Sequence, residues 1–328
     1  MTRLGLQIPN FTYPGVPDEK LFETVAAQAT AGEQAGFDTV LVMDHFYQLP
    51  MLGAPDHYML EAYTLLGAIA ARTRTARLGA LVTGNTYRNP ALLAKIATTL
   101  DVVSGGRAML GIGAGWFEPE HVGYGFDFPP LGRRFDMLEE ALEIIHPMLR
   151  GERPSLEGRF YRASEAINSP PPLAARRLPI LIGGNGERRT LRLVARFADE
   201  SNLTCAAEEI PRKLEALERH CQELGRERSE IRVSWLGSFV IGRSHEEAEG
   251  LRDEFLSARG MNWATLPDEV RQTIGRLLVV GDADAIGEHV QRQMIGQGLD
   301  GVIANLPVRG WETQSVLRAG EVLSKALG

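Results

Sequence analysis

Along the chain, short runs of aliphatic and β-branched residues alternate with longer stretches in which apolar positions recur every three or four residues. Leu4 to Ile8 reads as a strand, and Glu19 to Ala35 as a helix with Leu21, Phe22, Val25 and Ala29 on one face. Gly36 ends that helix. Asp38 to Met43 is the next strand, and its unbroken core TVLVM calls for burial on both faces, as in a parallel sheet. Helix Leu60 to Ala71, strand Arg77 to Thr83, helix Pro90 to Val103, strand Ala108 to Ile112 and helix Leu131 to Arg150 continue the pattern, with Pro90 at a first helical turn. In the second half the strands are Pro179 to Ile182, Glu200 to Leu203, Ile231 to Ile241 and Gly301 to Leu306. The helices there are Glu187 to Phe197, Glu209 to Leu224, Glu246 to Ser257, Asp284 to Gly296 and Thr313 to Leu327.

Eight strand candidates in 328 residues come to about 41 residues each, the arithmetic of a (β/α)8 TIM barrel with insertions, read as one domain over residues 1–328. A doubly wound open sheet is the competing layout. The continuous pattern, with no linker-like stretch, favours the barrel. Three segments exceed the minimal unit: 113–130, glycine-rich and aromatic; 151–178, with Pro170, Pro171 and Pro172; and 259–275. Loops that follow barrel strands form the catalytic face, so 113–130 is the better candidate for a site.

Composition narrows the partners. Thirty-five basic against 42 acidic residues give a net charge of −7, without the basic face that nucleic acid requires. Cys205 and Cys221 show no CxxC spacing, which argues against a disulfide framework or zinc site and fits a reducing cytoplasm. No window approaches about 18 uninterrupted apolar residues, so neither export nor membrane association is expected. The seven histidines form no HxH or HExxH pair, and a zinc hydrolase would need His45, His57 and His121 to converge. No metal is expected.

Four places can carry chemistry. Asp44 and His45 follow the TVLVM strand, where a barrel would aim them into its mouth; the alternative is a helix cap and a surface imidazole. Leu181 to Glu187 (LIGGNGE) is a strand, a glycine turn and a helix start, suited to a phosphate or needed only for packing. Gly111 to Trp116 (GIGAGW) lacks the last glycine of a dinucleotide fingerprint, and Pro119, Gly123 and Gly125 suggest an aromatic-walled loop, not a helix. In Leu81 to Pro90 (LVTGNTYRNP), Gly84 marks a bulge or a close backbone approach.

Taken together, VMDHF (Val42 to Phe46), the run from Leu81 to His121, IGGNGERRTLRLVARFAD (Ile182 to Asp199) and DGVIANLP (Asp300 to Pro307) resemble the luciferase-like monooxygenase superfamily, more closely its branch dependent on the deazaflavin coenzyme F420. The resemblance implies Asp44 and His45 at the polar end of a flavin-type ring, with His45 handling a proton. It implies a bulge with a non-prolyl cis peptide at Gly84-Asn85, and a cofactor phosphate held by Gly183, Gly184, Asn185, Gly186, Glu187 and Arg188. Gly113, Ala114 and Gly115 would approach the cofactor tail, whose acidic end would also favour Arg133 and Arg134.

Trp116 stands where the family's sugar-phosphate dehydrogenases carry a proposed glutamic acid, and Tyr47-Gln48-Leu49-Pro50 replaces their tryptophan after the Asp-His pair. Glucose 6-phosphate is therefore not the expected substrate. Tyr47, Trp116, Phe117 and Glu118 would line a more apolar substrate pocket, with Glu118 or Glu120 as an acid. The resulting expectation is an F420-dependent oxidoreductase acting on a small organic substrate. The alternatives are an FMN-dependent monooxygenase using O2 and a separate reductase, and a non-catalytic flavin-binding protein. The family implies a homodimer, for which the apolar helices Leu60 to Ala71 and Pro90 to Val103 offer a face, unless they are buried within one subunit.

Overall fold

The structure, a computed structural model, describes residues 3–173 and 177–328, so positions 174–176 of the long 151–178 segment lie outside the described residues. The first half runs β1 (Leu4–Ile8), α1 (Leu21–Gln34), β2 (Thr39–Val42), α2 (Ala62–Ala70), β3 (Arg77–Ala80), β4 (Thr83–Gly84), α3 (Pro90–Ser104), β5 (Leu110–Gly113), α4 (Glu118–Tyr124) and α5 (Leu131–Met148). The hairpin β6 (Leu156–Glu157) and β7 (Arg162–Ala163) precedes β8 (Ile180–Gly183), α6 (Thr190–Phe197), β9 (Glu200–Leu203), α7 (Ile210–Leu224) and β10 (Arg232–Ile241). The chain closes with α8 (His245–Ser257), α9 (Asp268–Leu277), β11 (Leu278–Gly281), α10 (Ala283–His289), β12 (Gly301–Asn305) and α11 (Thr313–Leu327).

The main sheet follows the order β3-β2-β1-β12-β10-β9-β8-β5-β4, and every pairing in it is parallel. Because β3 and β4 are consecutive parts of one run, the ends of that path meet, and a bridge from Leu78 to Ala108 closes the cylinder. This is the TIM barrel, with the crossover helices outside it. Strands β1 and β2 are buried at every position, as the unbroken apolar runs require.

Side chains alternate between the two faces of each stave. Leu41, Leu81, Met109, Leu181 and Ile303 fill the interior, while Val40, Leu78, Leu110, Ile180 and Val302 pack outward against the helices. Fully burying one such side chain contributes about 1.5–3 kcal/mol. At the N-terminal end of the cylinder, Arg77 meets Glu200 at 2.8 Å.

Three long segments hold more structure than expected. Residues 113–130 contain α4, despite Pro119: proline sits in the first turn, where its missing N–H is not needed, and Gly125 closes the helix at φ 74°. Segment 151–178 folds back as the β6–β7 hairpin, and 259–275 contains most of α9, which buries none of its residues and so has no core-facing stripe to read. Strand β11, which pairs with the second half of β10, is an addition to the expected set. The helix expected over Asp284 to Gly296 is α10 followed by a π turn at Val290–Met294. The apolar face of α2 is used within the subunit, through Ala62, Leu65, Leu66, Ile69 and Ala70, whereas α3 leaves Leu92, Val102 and Val103 exposed.

Candidate active site

The C-terminal ends of the parallel staves share one face of the barrel, and the junctions after β2, β4, β5 and β8 gather there. After β2 the chain turns at Asp44 and His45. Both oxygens of the fully enclosed Asp44 are occupied: Arg88 donates to them at 2.6 and 2.9 Å, and the Gly84 N–H adds a bond of 3.3 Å. Arg88 also reaches Glu61 at 2.7 Å and lies over the Tyr63 ring. Burial alone would lower the Arg88 pKa, but its bonds to Asp44 and that carboxylate's charge more than reverse this and keep it protonated. Asp44 therefore clamps the β4–α3 junction.

His45 makes a different contact. Its Nδ1 lies 2.7 Å from Oε1 of Glu120 on α4, a residue fully buried and 75 positions away. Glu120 also accepts from the Phe46 N–H at 2.7 Å and from the Tyr87 hydroxyl. Burial pushes the Glu120 carboxyl up, yet the bonds from His45, Tyr87 and Phe46 bring it below the ordinary carboxylate range. An ionised Glu120 makes Nδ1 the N–H donor. Nε2 has no hydrogen-bond partner among the described residues. Trp116 and Phe117 flank the imidazole edge-on, with ring centroids 5.8 and 5.9 Å away.

Around this pair, α4 is tied back to the barrel. His121 is fully buried, with Nδ1 2.8 Å from the Phe117 carbonyl and Nε2 2.7 Å from the Thr86 hydroxyl. The backbone carbonyl can only accept, so Nδ1–H donates to it, and in the neutral ring Nε2 accepts from the Thr86 hydroxyl. Gly115, at φ +78°, passes so close that a Cβ there would lie 2.9 Å from the Thr86 Oγ1. Asn85 is buried and bonds the Tyr161 hydroxyl at 3.3 Å. The non-prolyl cis peptide is Leu81-Val82, not Gly84-Asn85 as expected. It falls between β3 and β4, where the chain is released from the ladder, whereas Gly84 is already paired with Gly113. Val82 packs against the interior cluster, within 3.0 Å of where a Cβ on Gly113 or Gly183 would stand.

After β8, Gly184 adopts φ +129° and Asn185 exchanges two bonds with Thr204, at 2.8 and 3.0 Å. Asn185 thus fixes the turn. The backbone N–H groups of Asn185, Gly186, Glu187 and Arg188 have no partner among the described residues. Glu187 is turned to Lys213 and Arg212 at 2.7 and 2.9 Å, and Arg188 is exposed. Next to this turn, Arg189 bonds the Gly132 carbonyl at the start of α5. On that first turn Arg134 is buried, its guanidinium 3.9 Å from the Phe128 ring centroid, with Nε and Nη1 unpartnered. Burial lowers its pKa, and Glu118 opposes that.

The family model described as luciferase-like monooxygenase matches residues 2–304. The chain belongs to that family. This luciferase-like chain is 33% identical over 204 residues to an F420-dependent glucose-6-phosphate dehydrogenase of Microbacterium testaceum, a match covering 61% of the chain and 58% of that relative. Among solved structures it superimposes on an F420-dependent secondary alcohol dehydrogenase with an F420-acetone adduct (TM-score 0.79, 19% identity, 100% and 99% of the two chains). It also superimposes on an FMN-bound type II Baeyer-Villiger monooxygenase of Pseudomonas putida (TM-score 0.75, 18% identity, 99% and 98%). At those identities the two structures speak for the fold.

The expected pocket residues divide. Trp116 is 60% exposed at the rim and Glu118 is exposed, whereas Phe117 is buried against Met43 and Leu49, and Tyr47 packs beside it. Arg88 and Tyr87 were not singled out in the sequence, although both lie in the LVTGNTYRNP run. Glu120 belongs to the interior as the partner of His45. Among the described residues no group of three His, Cys, Asp or Glu side chains is disposed to hold a metal, and no helix is long and apolar enough to cross a membrane.

Proposed function

We propose that this luciferase-like protein is an oxidoreductase that binds coenzyme F420 and moves a hydride between the deazaflavin ring and a small organic substrate. The observation that carries the reading is a basic imidazole nitrogen left free at the barrel mouth, His45 Nε2, on the same face as unpaired anion donors. Those donors fit the phosphate of such a cofactor: the Asn185 to Arg188 amides stand open after β8, and Arg134, in the first turn of α5, keeps two nitrogens without partners. When bound, the cofactor supplies the hydride chemistry.

The chain supplies position and proton handling. Glu120 fixes the His45 tautomer, so Nε2 is the atom that takes a proton from a substrate hydroxyl or returns it. Asp44, through Arg88 and the Gly84 amide, holds the β4–α3 junction in place. Gly113, Ala114 and Gly115 bring bare backbone to the mouth, and Gly183 to Gly186 do the same at the phosphate end. Trp116, Tyr47 and Phe117 make an aromatic approach, which supports an organic substrate in place of a sugar phosphate.

FMN is the second reading, favoured by the fact that the same amides and Arg134 would accept its single phosphate. Titrating the purified protein separately with F420 and FMN decides between them. F420 binding followed by substrate-dependent change in its absorbance is the expected result. Tight FMN binding without F420 binding, or O2 consumption with reduced FMN, overturns the cofactor assignment, and F420 binding without turnover on any organic substrate reduces the protein to a carrier. The exposed apolar side chains of α3 support pairing of two copies, to be read as a dimer by light scattering.

A further inference from the structure

The segment that follows His45 bounds a cavity of about 670 Å³ that shares Tyr47 with the aromatic approach described above and otherwise lies beyond it. That volume falls within the roughly 300–1,000 Å³ of small-molecule sites. Its walls are mostly aromatic and apolar, with Phe46, Tyr47, Tyr58 and Met59 among them, and its titratable lining besides tyrosine is Asp18, Asp56 and His57, with no lysine or arginine. Asp18 accepts from the Tyr58 hydroxyl at 3.0 Å through Oδ1, which sets both groups at the rim and leaves Oδ2 without a partner among the described residues. The Asp56 carboxylate makes no hydrogen bond or ion pair among them either. Arg259, which tethers the same segment, has its guanidinium committed to the Met51 and Leu52 carbonyls.

The cavity adjoins the reaction centre. Tyr47 and Met59 pack against the cluster containing Phe117, and Phe117 stands edge-on to His45. Aromatic faces attract an organic ammonium group, and two uncompensated carboxylates attract it further while repelling anions. We propose that this cavity is the substrate-recognition lobe of the enzyme and that it takes an apolar molecule bearing a cationic amine. The inference rests on the reading of the mouth as a cofactor-dependent active site.

Three near-isosteric probes test it by calorimetry at pH 8: 2-phenylethylamine, 2-phenylethanol and 3-phenylpropionate. The amine is expected to bind about tenfold tighter than the alcohol, with the carboxylate weakest. Asp18→Asn and Asp56→Asn, both at exposed positions, should each weaken the amine about threefold and leave the alcohol unchanged. The double variant should erase the preference. Equal affinities, a preference for the carboxylate, no binding of any probe, or discrimination that survives in the double variant overturns the inference. Titrating F420 and FMN into the same proteins separates the two claims. A wild type that binds neither cofactor overturns the enzymatic reading and the lobe's role in it, whereas a wild type that binds a cofactor but does not prefer the amine overturns the present inference alone.

Discussion

At the N-terminal end of the barrel, Arg77 meets Glu200 inside the cylinder, Arg107 donates to the Ala70, Thr73, Ala76 and Ser104 carbonyls, and Glu33 collects the Arg74, Thr75 and Ala76 amides. At the C-terminal end Asp44 and Arg88 are matched in the same way, yet Arg134 buries two nitrogens without acceptors and His45 keeps one nitrogen free. An unpaired buried cation opposes folding. The charged groups of the first end meet within the chain, whereas the second keeps Arg134 and His45 nitrogens available to the ligand proposed above.

The largest test of that contrast is His45→Ala, which is expected to lower kcat by about 10²–10⁴ in an assay of substrate-dependent cofactor oxidation. Retained turnover would show that the free Nε2 faces nothing that reacts. Arg77→Ala removes the cation that meets the buried Glu200 carboxylate and should lower unfolding free energy in urea by about 3 kcal/mol, with cofactor affinity unchanged.

Arg134→Met should behave with the opposite sign. Cofactor affinity falls about tenfold or more, as for loss of a bond to a charged group, while urea stability does not decrease. A stability loss like that of Arg77→Ala would break the comparison. The smallest effects are in pH. Burial, reinforced by Arg150, Arg177, Arg226 and Arg196, holds the His146 pKa near 4, so the unfolded chain takes the proton first and stability falls as pH drops from about 6.5 to about 4. His146→Gln should flatten that slope in thermal melts. Glu33 acts lower: burial raises its pKa, but the Thr75 hydroxyl and the amides bring it to about 2. Its contribution is complete above about 4.5 and is lost as pH falls toward 2, and Glu33→Gln should remove that dependence.

The staves were legible because a strand buried on both faces must be apolar without interruption, as in TVLVM, and the barrel follows from eight of them in order. Helix α4 was hidden by Pro119, read as a breaker although a first-turn proline suits a helix, and α9 by its lack of any buried face. The positions of Asp44 and His45 at a strand end were equally legible. Their partners were not: Arg88 and Glu120 lie 44 and 75 residues downstream, a pairing no local pattern encodes. That Arg134 differs from Arg133 shows only after folding, when one is enclosed over Phe128 and the other stays outside.

Helix α4 lies outside the cylinder, inserted between β5 and α5, and yet it supplies the acceptor that orients the His45 ring. Proton chemistry and scaffold are thereby carried by separable stretches of chain. Substitutions within Glu118–Tyr124 would change the acceptor that orients this imidazole and leave every paired strand of the cylinder as it stands, so the two can vary independently.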